Sequence, residues 1–456
     1  MASSRKPRSS DLRACVADAV RAHVRAGSRL AVGLSGGIDS VVLFDALAAL
    51  APVAGFRLEA IHVHHGLSPD ADRWAAFCAE LAARQAVPLR VERVRVDRAS
   101  GLGIEGAARR ARYEAFGRSG ADVVALAHHR DDQAETLLLQ LVRGAGVAGL
   151  AAMPAWQPGA PALLRPLLGV GRGDIEAEAR LRGLAWVEDA SNDDTRHARN
   201  ALRHRVLPVL RELNPAAAAN LARSAAHLAE AHDVLRDLGR ADLAACAAGQ
   251  RLRVGPLLAL GRARARNALR SRLLDEGVAP PPTRRLDALL TQLAAARGDG
   301  AVCIALDGIA ARRYRGELWF VPPGTDTPPE AFRAVWDGTP EWDVPALGGT
   351  LVLEEVAGEG LAAACVAGGG LEVRSRAGGE RLRVEAGRPH RSLKNLFQES
   401  AVPPWERSRT PLVYCNGQLA VVPGLGMDPA FAAGPGAPGL RVRWEPWVRR
   451  ELRRKP

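Results

Sequence analysis

A short glycine-rich turn is the segment of this sequence whose residue types best suit phosphate chemistry. We call it the glycine turn; its members are Ser35, Gly36, Gly37, Ile38, Asp39 and Ser40. It follows an apolar run and precedes a helical pattern. Consecutive glycines permit a tight turn, and backbone N–H groups exposed at the start of a helix bind anions such as phosphate. A carboxylate in such a site, here that of Asp39, suits Mg²⁺. Because no lysine follows the glycines, this is not a Walker A loop.

A second set of ionisable side chains follows the fourth predicted strand. It comprises His128, Asp131, Asp132 and Glu135. In an open parallel sheet, ligands bind at the carboxyl ends of the strands, so this position is typical of a functional site. Carboxylates in the first turns of a helix also suit the helix dipole. An acid-rich helix start without a catalytic role is therefore the alternative interpretation.

The elements around both sets alternate between strand and helix patterns from residue 29 to about 195. This order predicts a mostly parallel β-sheet covered by helices on both faces. From about 214 the pattern changes to long helices rich in alanine, leucine and arginine, with a few short strands. Clustered proline, glycine and threonine at 322–340 indicate a linker. The remainder has short strand-like runs and many glycines.

The predicted fold is an α/β, parallel, doubly wound N-terminal domain, a helical middle domain and a small α+β C-terminal domain. The predicted boundaries are 1–26 for a basic N-terminal tail and helix, 27–213 for the catalytic domain, 214–322 for the middle domain, 323–343 for the linker and 344–456 for the C-terminal domain.

The charge balance favours a polyanionic partner. Lysine and arginine number 62 against 50 acidic residues, so the net charge is +12, and nearly all of the cations are arginine. A nucleic acid partner and an arginine-rich coding bias both explain this excess. No apolar run is long enough for a membrane span. Six scattered cysteines without a C-x-x-C pair suit a reducing cytoplasm and give little support to a zinc or iron–sulfur site.

The glycine turn resembles the SGGxDS loop of the N-type ATP pyrophosphatases, and motifs along nearly the whole chain resemble those of the tRNA(Ile)-lysidine synthetase family. In the first half, the matching segments are 61–67, 71–78, 105–113, 128–136, 143–154, 165–168, 188–192 and 199–203. Near the C-terminus they are 392–399, 402–409, 411–414 and 422–426. The sequence departs from the usual family pattern at His64 and Ser68.

The resemblance implies an adenine nucleotide alpha hydrolase-like catalytic domain, a tRNA-binding middle domain and a C-terminal domain that binds the tRNA acceptor stem. It implies a ligase that uses ATP and Mg²⁺. Oxygen 2 of the wobble cytidine of a CAU-anticodon tRNA(Ile) would attack the α-phosphate of ATP, and free L-lysine would then displace AMP. The lysidine formed would change the codon read from AUG to AUA. A cytoplasmic enzyme without membrane contact is expected, and a monomer and a homodimer both stay open.

In that reaction, the glycine turn is expected to bind ATP, with Asp39 holding Mg²⁺. We favour Asp132 as the key catalytic carboxylate, with Asp131, Glu135 and His128 as alternates. Holding Mg²⁺, binding the lysine ammonium group and accepting its proton all stay open as roles. The cations expected to contact triphosphate or tRNA are Arg109, Arg112, Arg199, Arg203, Arg381, Arg383 and Lys394. A solvated basic face is the alternative interpretation for them.

Three other functions compete with this one. A tRNA thiolase built on the same loop would need a sulfur-carrying cysteine or an iron–sulfur site, but Cys78 lies in a predicted helix and no C-x-x-C pair exists. An amidating ligase such as an NAD or GMP synthetase would not need a basic C-terminal domain. A non-catalytic tRNA-binding protein would have no need of Asp39, Asp131 and Asp132.

Overall fold

The computed structural model of the chain describes residues 9–97, 99–101, 103–189, 194–296, 302–323, 329–367 and 370–447. The chain forms two compact units, Met1–Val234 and Leu235–Pro456. The predicted basic tail at 1–8 and the motif residues Ser191 and Asn192 lie outside the described residues. Within the described part of the chain, no helix is long and apolar enough to cross a membrane.

The first unit is built around one six-stranded sheet flanked by helices. The strands are β1 (Arg29–Gly33), β2 (Arg57–His64), β3 (Leu89–Arg93), β4 (Val123–Ala125), β5 (Trp156–Gln157) and β6 (Ala162–Leu164). The helices are α1 (Ser9–His23), α2 (Ile38–Ala54), α3 (Ala71–Arg84), α4 (Gly103–Gly117), α5 (Arg130–Val142), α6 (Val147–Leu150), α7 (Arg172–Leu181), α8 (Ala198–Ala201) and α9 (Leu207–Leu213), with a π-helical turn at Leu202–Val206.

The strand order in this sheet is β3-β2-β1-β4-β6-β5. Every neighbouring pair is parallel except β5 and β6. The chain runs outward from β1 to β3 and then returns to place β4 on the other side of β1. A crevice therefore opens between the carboxyl ends of β1 and β4, where parallel sheets bind their ligands. The prediction of a mostly parallel sheet is confirmed.

The core of this unit explains why β1 and α2 hold their positions. Strand β1 has no polar residue in its centre and is buried on both faces, as expected for a central parallel strand. Helix α2 packs its fully buried Phe44 into the same core. The one buried anion of α2 among its described residues, Asp45, pairs with Arg13 of α1 and with Arg182 after α7, each at 2.8 Å. These ion pairs align three helices on one face of the sheet.

The second unit combines helices with four sheets. Its helices are α10 (Ala217–Cys246), within which the two units divide, α11 (Val254–Ala259), α12 (Arg262–Asp275), α13 (Thr283–Ala295), α14 (Ala364–Ala367), α15 (Leu393–Glu399) and α16 (Pro404–Arg407). Its strands are β7 (Ala247–Ala248), β8 (Arg251–Arg253), β9 (Cys303–Leu306), β10 (Ile309–Tyr314), β11 (Glu317–Val321), β12 (Arg333–Val335), β13 (Glu341–Val344), β14 (Gly349–Ala357), β15 (Leu361–Ala362), β16 (Leu371–Arg374), β17 (Arg381–Leu382), β18 (Arg391–Ser392), β19 (Leu412–Cys415), β20 (Gln418–Val422), β21 (Gly426–Met427) and β22 (Pro438–Pro446). The sheet orders are β7-β8-β11-β10-β9, β12-β16-β19-β20-β21, β13-β14-β22-β15 and β17-β18.

Three details of the second unit differ from the sequence expectations. The helical middle region also carries the five-stranded sheet β7-β8-β11-β10-β9; strand β10 escaped prediction because Arg312 and Arg313 interrupt its apolar pattern. Residues 257–274 have the helical spacing of the long alanine-, leucine- and arginine-rich segments and would be expected to form one helix, but they are divided between α11 and α12 at Gly261, whose φ of +77° a continuous helix does not allow. Strands β12 and β13 begin inside the range expected to be a linker, of which 324–328 lie outside the described residues.

We predict that Phe44→Ala destabilises the first unit by about 3–5 kcal/mol, because it removes a fully buried aromatic ring and leaves a cavity. Urea unfolding of the wild-type and variant proteins measures the difference. The matched control is Val53→Ala on the same helix, where the side chain is 85% exposed and little change is expected. Equal loss of stability in the two variants would contradict the packing described for α2.

Candidate active site

The glycine turn directly follows β1 and is organised by its own serines. The Ser40 hydroxyl accepts hydrogen bonds from the backbone N–H groups of Ser35 and Gly36, each at 3.2 Å, and donates to the Gly37 carbonyl oxygen at 2.8 Å. Because α2 begins at Ile38, the turn stands at a helix N-terminus, where N–H groups carry partial positive charge. The sequence therefore folds into a ready-made anion-binding turn.

Gly36 meets two separate demands in this turn. Its φ of +91° lies in the region that favours glycine. A β-carbon at this position would also lie 2.8 Å from Val187 Cγ2 and 3.3 Å from Cys78 Sγ. The Val187 N–H donates to the Gly36 carbonyl oxygen at 2.9 Å, so the backbone at Val187 packs directly against the turn. Backbone conformation and space both require glycine here.

A cleft of about 910 Å³ opens at the carboxyl ends of β1, β2 and β4. The predicted site residues that line it are Ser35, Gly37, Asp39, Ser40, Arg112, His128, Asp132, Arg199 and Arg203. The remaining predicted residues of this unit, Gly36, Ile38, Arg109, Asp131 and Glu135, are not part of its lining. Arg109 is exposed and donates to the Tyr113 hydroxyl at 3.1 Å. Of the predicted residues, the cleft thus brings together most of the glycine turn, which includes Asp39, with one further carboxylate, one histidine and three arginines.

Two buried carboxylates and two arginines form what we call the carboxylate–arginine network. Glu135 is 1% exposed, and its oxygens accept hydrogen bonds from Arg199 Nε at 2.8 Å and Arg203 Nε at 2.6 Å. Asp132 Oδ1 accepts from Arg199 Nη2 at 2.9 Å. Burial acts to raise the pKa of Asp132, but nearby His129 and Arg199 outweigh it and lower the pKa below its usual value. Asp132 is therefore an anion at neutral pH and a weak proton acceptor.

Asp131 points away from the large cleft. Its carboxylate pairs with Arg211 and accepts a hydrogen bond from the Arg172 backbone N–H at 3.0 Å. Together with Glu135 it lines a smaller cavity of about 440 Å³. The two carboxylates named as alternates to Asp132 thus lie on the other side of the arginines, and both have cationic partners.

Asp39 is the carboxylate with unused bonding capacity. Its Oδ1 is buried and has no hydrogen-bond partner among the described residues. Its Oδ2 lies 3.7 Å from His129 Nε2, which in turn lies 3.5 Å from Asp132 Oδ2. Burial raises the pKa of Asp39, and the nearby charge of Asp132 adds to the effect. A cation bound beside Asp39 would stabilise its ionised form and so counteract both of these effects on its pKa.

His129, which was given no role in the sequence-based prediction, lies between the carboxylates of Asp39 and Asp132. This residue is 1% exposed and directly precedes α5, and its backbone N–H donates to Asp132 Oδ2 at 2.9 Å. Its place beside His128 in the motif was the available signal. Periodicity alone does not show which of two adjacent histidines turns toward Asp39.

The site fits Mg²⁺ bound together with phosphate, and does not fit a metal held by protein alone. No group of three or more histidine, cysteine or carboxylate side chains within the described ranges could hold a metal ion. Mg²⁺ usually takes one or two carboxylates and completes its shell with phosphate oxygens and water. Asp39 supplies one unpartnered oxygen, whereas Asp132 already accepts hydrogen bonds at both of its oxygens.

The cleft is also lined by ring side chains that were not predicted to be site residues, most of them histidines at the end of β2. The additional lining residues with a polar ring are His62, His64 and His65 on or after β2, Trp74 on α3 and His197 just before α8. Burial, with Arg112 adding to it, lowers the pKa of His65 to about 4. Burial lowers the pKa of His128 to about 3. Both imidazoles are therefore neutral at neutral pH, so the positive charge of the cleft wall comes from its arginines and not from these histidines.

The three predicted tRNA-contacting cations of the C-terminal region belong to the second unit. Arg381 on β17 donates to the His390 carbonyl oxygen at 2.6 Å, and Arg383 pairs with Asp428 at 2.9 Å. Lys394 on α15 is exposed. Their contact with RNA stays a prediction.

We predict that the free energy of unfolding falls as the pH is lowered from about 6.5 toward 4. Below pH 6.5 the unfolded chain binds protons at His65 and His128 that the folded chain refuses, because burial lowers both pKa values. Urea unfolding at several pH values measures the slope. His128→Gln should reduce it, whereas His227→Gln, at an exposed position on α10, should not. An unchanged slope in His128→Gln would contradict this assignment.

Three family models match the chain in sequence. The PP-loop domain matches residues 9–210, the TilS substrate binding domain matches 252–319, and the TilS substrate C-terminal domain matches 371–444. The first match contains the glycine turn, the cleft and the carboxylate–arginine network. The other two lie in the second unit.

Curated relatives match along nearly the full length. The tRNA(Ile)-lysidine synthase of Ralstonia nicotianae is 46% identical, with 92% of this chain and 93% of the relative covered. That of Nitrosomonas europaea is 41% identical, with 98% of each chain covered. That of an Azoarcus species is 43% identical, with 92% of each covered. Because these relatives are 41–46% identical over at least 92% of the chain, and because the PP-loop domain model matches the part that forms the cleft, the chain belongs to the tRNA(Ile)-lysidine synthase family.

Proposed function

We propose that this chain ligates L-lysine to carbon 2 of the wobble cytidine of CAU-anticodon tRNA(Ile), consuming ATP and releasing AMP and pyrophosphate. The observation that carries the proposal is a single cleft lined both by the glycine turn, with its carboxylate Asp39, and by Asp132. Family membership supplies the reaction class, and the cleft supplies the groups that the reaction needs. The lysidine produced would pair with AUA codons in place of AUG.

In the first step, oxygen 2 of the cytidine attacks the α-phosphorus of ATP and pyrophosphate leaves. The glycine turn binds the departing diphosphate through its backbone N–H groups, which stabilise the charge that develops. Asp39, whose Oδ1 has no partner among the described residues, is the residue that would hold Mg²⁺, and the ion would supply charge neutralisation at the phosphates. The adenylylated oxygen becomes a good leaving group.

In the second step, the ε-amine of lysine attacks carbon 2 and AMP leaves. The amine must first lose its proton, since the ordinary pKa of lysine is about 10.4. Arg199 and Arg203 line the cleft but are paired with Asp132 and Glu135, so the proton of the amine needs an acceptor elsewhere in the cleft. Asp132, an anion with a lowered pKa, orients the incoming ammonium group and is not the proton acceptor. Asp39, whose pKa is raised, is the better proton acceptor of the two.

The tRNA is the partner that the basic charge of the chain suits. The net charge of +12 favours binding to a phosphate backbone. We assign the predicted middle and C-terminal domains to tRNA, with Arg381, Arg383 and Lys394 facing the acceptor stem. Arg112 at the cleft contacts triphosphate or the anticodon loop. A cytoplasmic location follows from this substrate, and monomer and homodimer are equally compatible with the cleft.

A thiolase function is disfavoured by the environment of Cys78. This thiol is buried behind the glycine turn, its Sγ lies 3.7 Å from the Leu34 carbonyl oxygen, and it does not line the cleft. Burial raises its pKa to about 12, so it does not form the thiolate that sulfur transfer requires.

We predict that the wild-type protein incorporates radiolabelled lysine into CAU-anticodon tRNA(Ile) in the presence of ATP. Asp39→Asn should reduce the rate by about 100-fold or more, because it removes the charge that holds Mg²⁺ while preserving side-chain size. Acid-precipitable label over time measures the rate.

The matched control for this variant is Asp18→Asn, an exposed carboxylate on α1, which should retain full activity. Circular dichroism checks that both variants fold. Release of pyrophosphate without lysine transfer by the wild type would indicate another PP-loop reaction. A fully active Asp39→Asn protein would remove Asp39 from the mechanism.

We predict a steep salt dependence for tRNA binding. Raising the salt concentration from 50 to 200 mM should weaken binding by at least about tenfold, since each phosphate contact releases condensed counterions. Filter binding with labelled tRNA at several salt concentrations measures the slope. A Kd that hardly changes over this range would show that contacts to phosphates do not dominate.

A further inference from the structure

The second unit contains a cavity walled by indole rings, which we call the tryptophan cavity. It has a volume of about 520 Å³. Its aromatic lining residues are Trp319, Phe320, Trp405, Trp444 and Trp447. Four of the nine tryptophans of the chain thus converge on one cavity, although aromatic residues make up only 4% of the sequence. None of these residues has a role in the reaction proposed above.

The rings are arranged as rigid walls. Trp319 and Trp405 meet edge to face, with centroids 5.8 Å apart and planes at 80°. The guanidinium of Arg251 lies over the Trp319 ring at 4.6 Å, and that of Arg312 over the Trp405 ring at 5.1 Å. Cation–π contacts on both rings hold them in place. The cavity is therefore bounded by flat surfaces that need not rearrange when a planar group enters.

The cavity also presents polar atoms that lack partners. The Glu276 side chain is 8% exposed; its Oε1 pairs with Arg272 at 2.5 Å, whereas its Oε2 accepts no hydrogen bond from any described residue. The indole Nε1 atoms of Trp319 and Trp405 are likewise buried and without an acceptor among the residues that the structure covers. Buried polar groups without partners are destabilising, so each one points to a bonding partner supplied from outside. The cavity offers one carboxylate acceptor and two N–H donors.

These features select the occupant by its chemistry. An aliphatic peptide side chain would fill the volume but leave Glu276 Oε2 and the two indole N–H groups without partners. A free inorganic anion would suit the arginines of the lining but would have no ring to stack on indole. A planar heterocycle with an amino group and ring acceptors would stack on indole, donate to Glu276 and accept from an indole N–H. Arg251, beside the cavity, would suit a phosphate attached to that heterocycle.

We propose that the tryptophan cavity receives an unpaired nucleobase of the RNA substrate, one that carries an exocyclic amino group. The inference rests on the proposed function, because it takes tRNA as the substrate. The cavity would recognise a base, whereas the other RNA contacts of the chain are expected to be with phosphates. Glu276 accepts from the exocyclic amine, and Trp319 supplies the stacking surface.

The test measures tRNA binding by two variants of the full chain. Trp319→Leu removes the stacking surface and should raise the Kd for CAU-anticodon tRNA at least about fivefold, the lower range for loss of one stacked base. Glu276→Gln keeps the size of the side chain and should raise the Kd; because Glu276 also pairs with Arg272, the thermal unfolding midpoint is measured to check that the variant is folded at the assay temperature. In both variants, kcat at saturating tRNA should stay at the wild-type value, since the cavity binds and does not react.

The matched control is Trp336→Leu, which alters a tryptophan of the same unit that does not line the cavity and donates to the Thr339 carbonyl oxygen. Its Kd for tRNA should equal that of the wild type. Single-stranded oligocytidylate should compete with tRNA for the wild type more strongly than oligouridylate, and Glu276→Gln should abolish that difference.

Three outcomes overturn the inference. The first is an unchanged Kd in both Trp319→Leu and Glu276→Gln. The second is equal competition by the two oligonucleotides. The third is competition by free CMP as strong as that by oligocytidylate, which would assign the cavity to a free nucleotide. A wild type that binds tRNA through the cavity but makes no lysidine would instead refute the proposed reaction and leave the base-binding site standing.

Discussion

The charge balance beneath the cleft is the constraint on which the first unit depends. Glu135 is almost completely buried, and a buried carboxylate is tolerated only when it is paired and hydrogen-bonded. Arg199 and Arg203 satisfy it and at the same time engage Asp132. These contacts tie α5 to the segment 198–206, which lies more than 60 residues later in the chain. This part of the cleft wall is stable because an unpaired buried carboxylate would be strongly destabilising.

This pairing also separates the roles of the acidic residues. A carboxylate that is already bonded to guanidinium groups stays ionised and holds its position, which suits the orientation of a cationic substrate. A carboxylate with an unpartnered oxygen and a raised pKa, as Asp39 has, is free to bind a metal ion or a proton. Asp131 and Glu135 line the smaller cavity and not the cleft. The carboxylates of one short acidic motif therefore lie in two different environments.

The two units differ in the kind of binding surface that each carries. The first unit carries a polar cleft built on a parallel sheet, with its anion-binding turn at the point where the strand order reverses. The second unit carries most of the predicted RNA-contacting cations and the tryptophan cavity. Phosphate contacts alone hold an RNA without reading its sequence, whereas a base inserted between indole rings adds selectivity. Chemistry in one unit and recognition in the other is a division consistent with the distribution of charge and aromatic residues.

The parallel α/β sheet, the glycine turn and the class of ATP-dependent reaction could be predicted from the sequence, because they depend on local periodicity and on contiguous motifs. Which ionisable groups line the same cleft could be learned only from the folded structure. Whether Asp132 or Asp131 faces the substrate, and whether Arg199 binds a carboxylate, depends on contacts between residues far apart in the chain. The same holds for His129 beside Asp39 and for the tryptophan cavity, whose residues come from separate strands and helices. Local patterns specify elements, but the energy of burying a charge or a ring is set by neighbours that only the folded chain brings together.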